Sequence, residues 1–489
     1  MLFNKAYADM AEIGIALTAE KDENKLLDKI LTTIIDLALC DAGILYLCTQ
    51  DKLNVRLMKN PSQEEDDTAK YDENMKMENS FIDEEIDIPP VYLDSNNVCA
   101  CAARDNIIIS INDVDYNTSY DFSQNSLIDE QLECITKSML VLPLRNAEGN
   151  IVGVIQFLNP SEEQYDEYIM KIICSQAAVA ITNMLYIREM KHQMNSFATA
   201  FAEAIDARTP YNGTHTKKVA QYAIRVAEEI NDANARGETK EYFDESRTEQ
   251  LYMAAYLHDI GKMIVPLAVM NKASRLDKRF YAITSRFKLL KAYFELDFLK
   301  GITTEDEYSV RTREIDEFLS VIKSANTASN LEDDIIAKIN QIGKKTYTGP
   351  DDEKIRYLTD DEIECLSIKR GTLTEKERVL MESHVAMTER ILDKVYFNSQ
   401  YDKVKKTASS HHEYLDGSGY PHGLTDKDLS LDDRILAVVD IYDALTSKDR
   451  PYKKPVPVDK AFTILGDMVK AGKLDGAVVD YLGRCIDLD

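Results

Sequence analysis

From about residue 195 onward, apolar residues recur at spacings of three and four between polar breaks, and no run alternates with the period of two that a half-buried strand needs. That part of the chain is therefore expected to be all-α. Ahead of it the pattern changes. Residues 42–48, 53–57, 107–109, 139–144 and 151–158 are short apolar runs suited to strands, and Ala147-Glu148-Gly149-Asn150 supplies a turn between the last two. With 489 residues and two periodicities, the chain is multidomain.

In the first part, Leu26, Leu27, Ile30, Ile34, Ile35 and Leu37 repeat at helical spacing over residues 21–38, whereas residues 61–85 are acidic, polar and without period. The module reads as α+β and sensor-sized. Its order of elements, with LVLPLRNAEGNIVGVIQFLNP at 140–160 followed by a helix containing SQAAVAI at 175–181, resembles a GAF domain over about residues 24–185. The resemblance implies a module that binds an unidentified small ligand or dimerises, and the sensor domain is assigned to residues 1–185. Ala180, Asn183, Ile187, Met190, Met194, Phe197, Phe201 and Ala204 then alternate at three and four, with no Gly or Pro before Pro210. This is a heptad seam in a linker helix, residues 186–208, and it predicts a parallel homodimer in which Asn183 at a core position sets the register. Packing of the same face on its own domain is the alternative.

Lys and Arg number 58 against 85 Asp and Glu, a formal net charge of −27. Such a field repels polyanions, so DNA and RNA duplexes are not expected as partners, and an anionic small substrate needs a local pocket of metal ions or basic side chains. Residues 1–14 lack the basic-then-apolar order of a secretory leader. The apolar stretch at 30–40 is broken by Asp36 and falls short of the roughly 20 residues of a membrane helix. A cytoplasmic protein with no membrane partner is expected. The eight Cys include no CxxC pair, and the lone CxC of Cys99 and Cys101 reads as buried, reduced thiols.

Of the six His in the helical part, five (His215, His258, His384, His411 and His412) lie beside Asp or in short polar motifs. His258 and Asp259 end an apolar helix in AAYLHDIGK, with Lys262 one turn beyond His258. His411-His412-Glu413 precede Asp416-Gly417-Ser418-Gly419-Tyr420-Pro421, a glycine-rich turn that lets backbone fold close to a ligand. One isolated His is most often a core residue. Two adjacent His, an HD pair and a downstream Asp point instead to a metal centre, because imidazole and carboxylate suit a borderline divalent metal and a carboxylate can bridge two.

HDIGK at 258–262 and HHEYLDGSGYP at 411–421 together resemble an HD-GYP phosphodiesterase. GTHTKKVA around His215, Val265-Pro266, GTLTEKERVLMESH ending at His384, RILAVVD ending at Asp440, and DALT from Asp443 fit the same pattern in order, over about residues 197–480. The resemblance implies an all-α HD-GYP domain, residues 195–489, holding two divalent metal ions, iron or manganese. His215, His258 and Asp440 would hold one, His384, His411 and His412 the other, with Asp259 bridging. It also implies hydrolysis of cyclic di-GMP to pGpG or GMP, with Asp259 and Lys262 catalytic and Arg450, Lys453, Tyr420 and Gly419 binding substrate. Two metals can activate a water and neutralise phosphoryl charge, so no side-chain nucleophile is needed; Lys262 would then serve the leaving oxygen and Arg450 and Lys453 the second phosphate.

The chain departs from that family in three places, one of them Asp449, an extra residue ahead of Arg450 that alters the register of Arg450 and Lys453. Where some members carry a Glu that adds a third metal, this chain has Tyr211, so two metals are expected. About residues 275–368 form a charged insertion in place of a short connection, and Phe280, Phe287, Leu290, Tyr293 and Phe294 predict packed helices within it. A catalytically weak cyclic-dinucleotide receptor and a phosphodiesterase for another cyclic dinucleotide, such as cyclic GMP-AMP, are the competing readings.

Overall fold

A computed structural model describes residues 23–62, 88–161, 167–208, 214–349, 352–447 and 455–486. The chain divides between Gln193 and Met194 into two compact units. The first contains α1 (Glu23–Ala38), β1 (Ala42–Thr49), β2 (Lys52–Lys59), β3 (Val91–Tyr92), α2 (Val98–Asp105), β4 (Ile109–Ile111), α3 (Asn125–Leu132), β5 (Met139–Arg145) and β6 (Ile151–Leu158). The helix α4 (Glu167–Asp206) follows. The six strands form one antiparallel sheet in the order β3-β2-β1-β6-β5-β4.

Both faces of the sheet are covered at β1, β5 and β6, so these strands read as continuous apolar runs, whereas β2 alternates. Leu45, Leu142, Ile155 and Phe157 bury against α1 and the start of α4, whereas Ile44, Tyr46, Val141 and Val154 bury against α2. At the β1–β6 pairing, a Cβ on Gly153 would lie 2.2 Å from the Tyr46 carbonyl oxygen, so only glycine fits that approach. One strand is displaced from its expected place. The run at 107–109 becomes β4 at 109–111, because Asn106 takes the left-handed conformation that caps α2 (φ 54°) and leaves Ile107 48% exposed. Of the acidic stretch 61–85, all beyond Ser62 lies outside the described residues.

Among the described residues one helix, Tyr168–Arg208, is long and apolar enough to cross a membrane, a stronger candidate than residues 30–40. Its apolar side chains have another use: Met170, Ile173, Cys174, Ala177, Ala178 and Ile181 bury against the sheet.

The second unit contains α5 (His215–Ala235), α6 (Glu245–Leu257), a 3₁₀ turn (Ile260–Met263) and α7 (Leu267–Met270). Then come α8 (Arg279–Leu299), α9 (Glu305–Thr327), α10 (Asp333–Gly343), β7 (Thr346–Thr348), β8 (Lys354–Arg356) and α11 (Asp360–Leu366). The unit closes with α12 (Glu375–Leu392), α13 (Val404–Ser409), α14 (Leu431–Thr446), α15 (Val458–Lys470) and α16 (Gly476–Cys485). Its main core joins α5, α6 and α13 to α16 through residues such as Val226, Leu251, Val438, Leu465 and Leu482.

The segment expected as an insertion packs on a separate core that includes Leu276, Phe287, Phe294, Ile322, Ile339 and Leu366. It is not purely helical. The hairpin β7–β8 has three residues per strand, too few to show a period, and closes where the Gly349 N–H donates to the Glu353 carbonyl at 2.8 Å. The buried Arg275 fastens the base: its guanidinium donates to the carbonyls of Ile368 (2.8 Å), Ala325 (2.8 Å) and Ala328.

Candidate metal centre

Five helix ends or faces bring the His and Asp residues together. His215 opens α5; α6 ends at Leu257, so that His258 and Asp259 emerge from its C-terminus; α12 carries His384; His411 and His412 follow α13; and α14 carries Asp440. The ligand atoms form two groups, His215, His258 and Asp259 in one and His384, His411 and His412 in the other, each with those atoms within 4.8 Å of one another. Asp259 lies between the groups. Its Oδ2 is 3.2 Å from His258 Nε2 and 3.6 Å from His215 Nε2, while its Oδ1 is 3.5 Å from His384 Nε2 and 4.0 Å from His411 Nε2. Asp440 Oδ1 lies 3.2 Å from His215 Nε2 and 3.8 Å from His258 Nε2.

One local device orients three of the rings. The Nδ1 of His258, His384 and His411 bonds the carbonyl three residues earlier, at Ala255 (2.7 Å), Met381 (2.6 Å) and Ala408 (2.7 Å). A carbonyl only accepts, so Nδ1 carries the proton and the Nε2 lone pair faces the site. His215 is oriented instead by Asp443, whose Oδ2 is 2.6 Å from its Nδ1. The Nε2 atoms of His258, His384 and His411 and the Oδ1 of Asp259 are buried with no hydrogen-bond partner. Buried polar atoms are rarely left so, and four of them converging is what a cation site requires. These residues fit a divalent metal pair.

The electrostatics divide the two groups. Burial would lower His215, but the hydrogen bonds to Asp259, Asp440 and Asp443 outweigh it and raise the ring well above the usual imidazole range, so a metal bound there displaces a proton. Burial pushes His384 down to about 4 and holds His411 and His412 below the usual imidazole range, so all three imidazoles are neutral near pH 7. Burial alone would raise Asp259, but the neighbouring His258 and Lys262 outweigh it and keep the carboxylate well below its usual range. For Asp440 burial is likewise outweighed, by the hydrogen bond and charge of His215. The Lys262 ammonium pairs directly with Asp259 Oδ2.

The turns around the centre depend on close approach. The Gly261 N–H donates to Thr388 Oγ1 (3.0 Å), and that hydroxyl donates to the His258 carbonyl (2.8 Å), tying the HD turn to α12. A Cβ on Gly261 would lie 1.9 Å from the His384 carbonyl oxygen. Gly419 is similarly pressed, 2.4 Å from a would-be Cβ to Glu413 Cα. The buried Glu413 carboxylate accepts from the N–H groups of His422 (2.7 Å) and Leu424 (2.9 Å), which holds the glycine-rich turn in place. There the Tyr420 ring lies 4.9 Å from that of His412, tilted by 36°.

Tyr211, Arg450 and Lys453 lie outside the described residues. Cys99 and Cys101 form no metal-capable group among the described residues; Cys99 packs its Sγ 3.4 Å from Gln156 Oε1, and burial pushes its thiol up. Asp443, Thr388 and Glu413 were not assigned roles from sequence. Only Asp443 carried a signal, a second carboxylate one helical turn after Asp440.

Comparison with known proteins places both units. The GAF domain family matches residues 22–181, and HD domain families match residues 212–338 and 361–478. Among curated relatives, the 3'3'-cGAMP-specific phosphodiesterase 3 of Vibrio cholerae is 43% identical over 20% of this chain and 20% of its own length. A cyclic di-GMP phosphodiesterase of Thermotoga maritima is 39% identical over 22% of this chain and 28% of its own. The 3'3'-cGAMP-specific phosphodiesterase 2 of Vibrio cholerae is 21% identical over 60% of this chain and 35% of its own length. The chain thus spans between a fifth and about a third of the length of these relatives. On the family matches and the motif pair at 258–262 and 411–421, the chain joins a GAF domain to an HD domain of the HD-GYP type.

Proposed function

We propose that the second unit is a metal-dependent phosphodiesterase that hydrolyses cyclic di-GMP to pGpG or GMP, under control of the GAF domain. The observation that carries the reading is the convergence of three unpartnered imidazole Nε2 atoms on the carboxylate of Asp259, itself unpartnered at Oδ1. His215, His258 and Asp440 would hold one metal and His384, His411 and His412 the other, Asp259 serving both. When bound, the ions supply an activated water and neutralise charge on the phosphoryl oxygens. Lys262, already paired with Asp259, stands ready to give a proton to the leaving oxygen. Tyr420, set by Gly419 against His412, offers a ring face to a base. Arg450 and Lys453 would take the second phosphate. Iron and manganese are the metals of choice.

A second reading of the substrate has its own support: two of the relatives named above are 3'3'-cGAMP-specific phosphodiesterases. The protein loaded with Mn(II) or Fe(II) and given cyclic di-GMP or 3'3'-cGAMP should release linear product from the first in preference, and Asp259→Ala should abolish turnover. Turnover unaffected by that change would sink the assignment, and binding without product would favour a receptor. A homodimer is further proposed, supported by Ile187, Met190, Phe197 and Phe201, which α4 leaves 50%, 48%, 65% and 48% exposed at heptad spacing. A cytoplasmic location and an unidentified small GAF ligand complete the proposal.

A further inference from the structure

Resting on the metal reading above, we propose that Arg208 is a positioning residue that fastens the end of α4 to the metal-bearing HD turn. Its guanidinium Nη1 donates to the Lys262 carbonyl at 3.2 Å and also to the Met263 carbonyl. Those carbonyls belong to the 3₁₀ turn Ile260–Met263 that begins directly after Asp259. Such a turn has poorer internal hydrogen-bond geometry than an α-helix. Apolar packing does little to hold its far end, since Met263 and Ile264 are 43% and 54% exposed. The near end is tied down by Thr388 through Gly261. Arg208 is thus the clamp on the far end: its Nη1 donates to both carbonyls, and the planar, rigid guanidinium holds those donors in a fixed geometry that the compact, strongly hydrated ammonium of a flexible Lys stem does not reproduce.

The same turn of chain reaches the other side of that metal group. Asp206, buried at the end of α4, accepts the Thr216 hydroxyl at 3.2 Å, and Thr216 follows His215. Asp206 and Arg208 therefore grip the neighbours of His215 on one side and of Asp259 on the other. The group His215, His258 and Asp259 is the one affected; His384, His411 and His412 sit on α12 and after α13, which neither residue touches through these bonds.

The test is Mn(II) titration calorimetry on the full chain, wild type against Arg208→Ala and Arg208→Lys, with thermal midpoints recorded. Loss of an outer partner of a metal ligand typically weakens affinity by about 10- to 100-fold, so one of two Mn(II) events should weaken by about tenfold in Arg208→Ala. Millimolar methylguanidinium should restore it, Arg208→Lys should remain impaired, and the midpoints should barely move. Wild-type affinity in Arg208→Ala, or a loss that follows a lowered midpoint and resists methylguanidinium, would overturn the proposal. Absence of Mn(II) binding in the wild type would overturn it together with the metal reading. Mn(II) binding without cyclic-dinucleotide turnover would remove the phosphodiesterase reading alone, and the Arg208→Ala comparison would still decide this one.

Discussion

Gly261 carries the tightest packing at the centre, for it sits where the HD turn meets the backbone of α12. A methyl group there would approach the His384 carbonyl oxygen to 1.9 Å and the Thr388 nitrogen to 2.6 Å, and backbone atoms cannot rotate aside. Gly261→Ala should therefore drive the HD turn away from α12, separating His258 and Asp259 from His384. Overpacking costs typically 1–3 kcal/mol, and calorimetry should show a lower midpoint together with weakened Mn(II) binding; a variant with both values unchanged would mean that the turn and helix do not meet as described. Asp443 illustrates a different dependence. Its bond to His215 Nδ1 selects which ring nitrogen faces the metal site, which a ligand inventory based on His and Asp spacing does not show.

Among the elements, α12 carries His384 and is fixed at its start by polar contacts. Its first turn is closed by a capping box in which Thr374 Oγ1 accepts from the Glu377 N–H and Glu377 Oε2 accepts from the Thr374 N–H. The same Glu377 oxygen meets Lys272 Nζ at 2.6 Å, and the Lys272 side chain is only 1% exposed. Lys272 is buried but Glu377 is only part-buried, and removing one partner of such a pair costs about 1–3 kcal/mol, so Lys272→Met should lower the thermal midpoint and loosen the helix that carries His384. The pH dependence has a definite sign. Burial alone would raise the Glu377 carboxyl, but the bonds from Lys272 and Thr374 outweigh it and depress it in the folded state. Its contribution is complete above the ordinary glutamate value of about 4.3 and disappears as pH falls through the lower folded value. The difference in midpoint between wild type and Lys272→Met should accordingly be widest near neutrality and narrow below about pH 4; a difference that stayed constant down to pH 3 would exclude the ion pair as its source.

At the scale of the whole molecule, the segment from Leu276 to Leu366 has a core of its own within the second unit. Its buried side chains, from Leu276 to Leu366, pack with one another, and its two ends are joined where Arg275 Nε donates to the Ile368 carbonyl at 2.8 Å. Ends that close can be bridged by a short flexible linker. Replacing residues 276–367 by a few Gly and Ser should leave a second unit that folds cooperatively and binds Mn(II), checked by circular dichroism and titration. Failure to fold would show that the HD core draws stability from the insertion.

How much of this was legible beforehand follows from what each feature depends on. The division into an α+β part and a helical part, the helices themselves, and the candidate ligands His215, His258, Asp259, His384, His411, His412 and Asp440 are matters of residue type, period and local spacing, which a linear chain carries openly. The hairpin at 346–356 was hidden because three-residue strands have no readable period, and β4 was misplaced because a single left-handed Asn106 moved the start of the strand. Thr388 bridging to Gly261, Arg208 reaching the HD turn, and Glu413 holding the glycine-rich turn needed the tertiary structure, since their meaning lies in which backbone atom each one meets across the fold. The sequence alone determined which groups are available to hold a metal; the folded chain decided that their lone pairs converge on Asp259, because convergence depends on ring orientation, and orientation is set by carbonyls and carboxylates that only packing brings within reach.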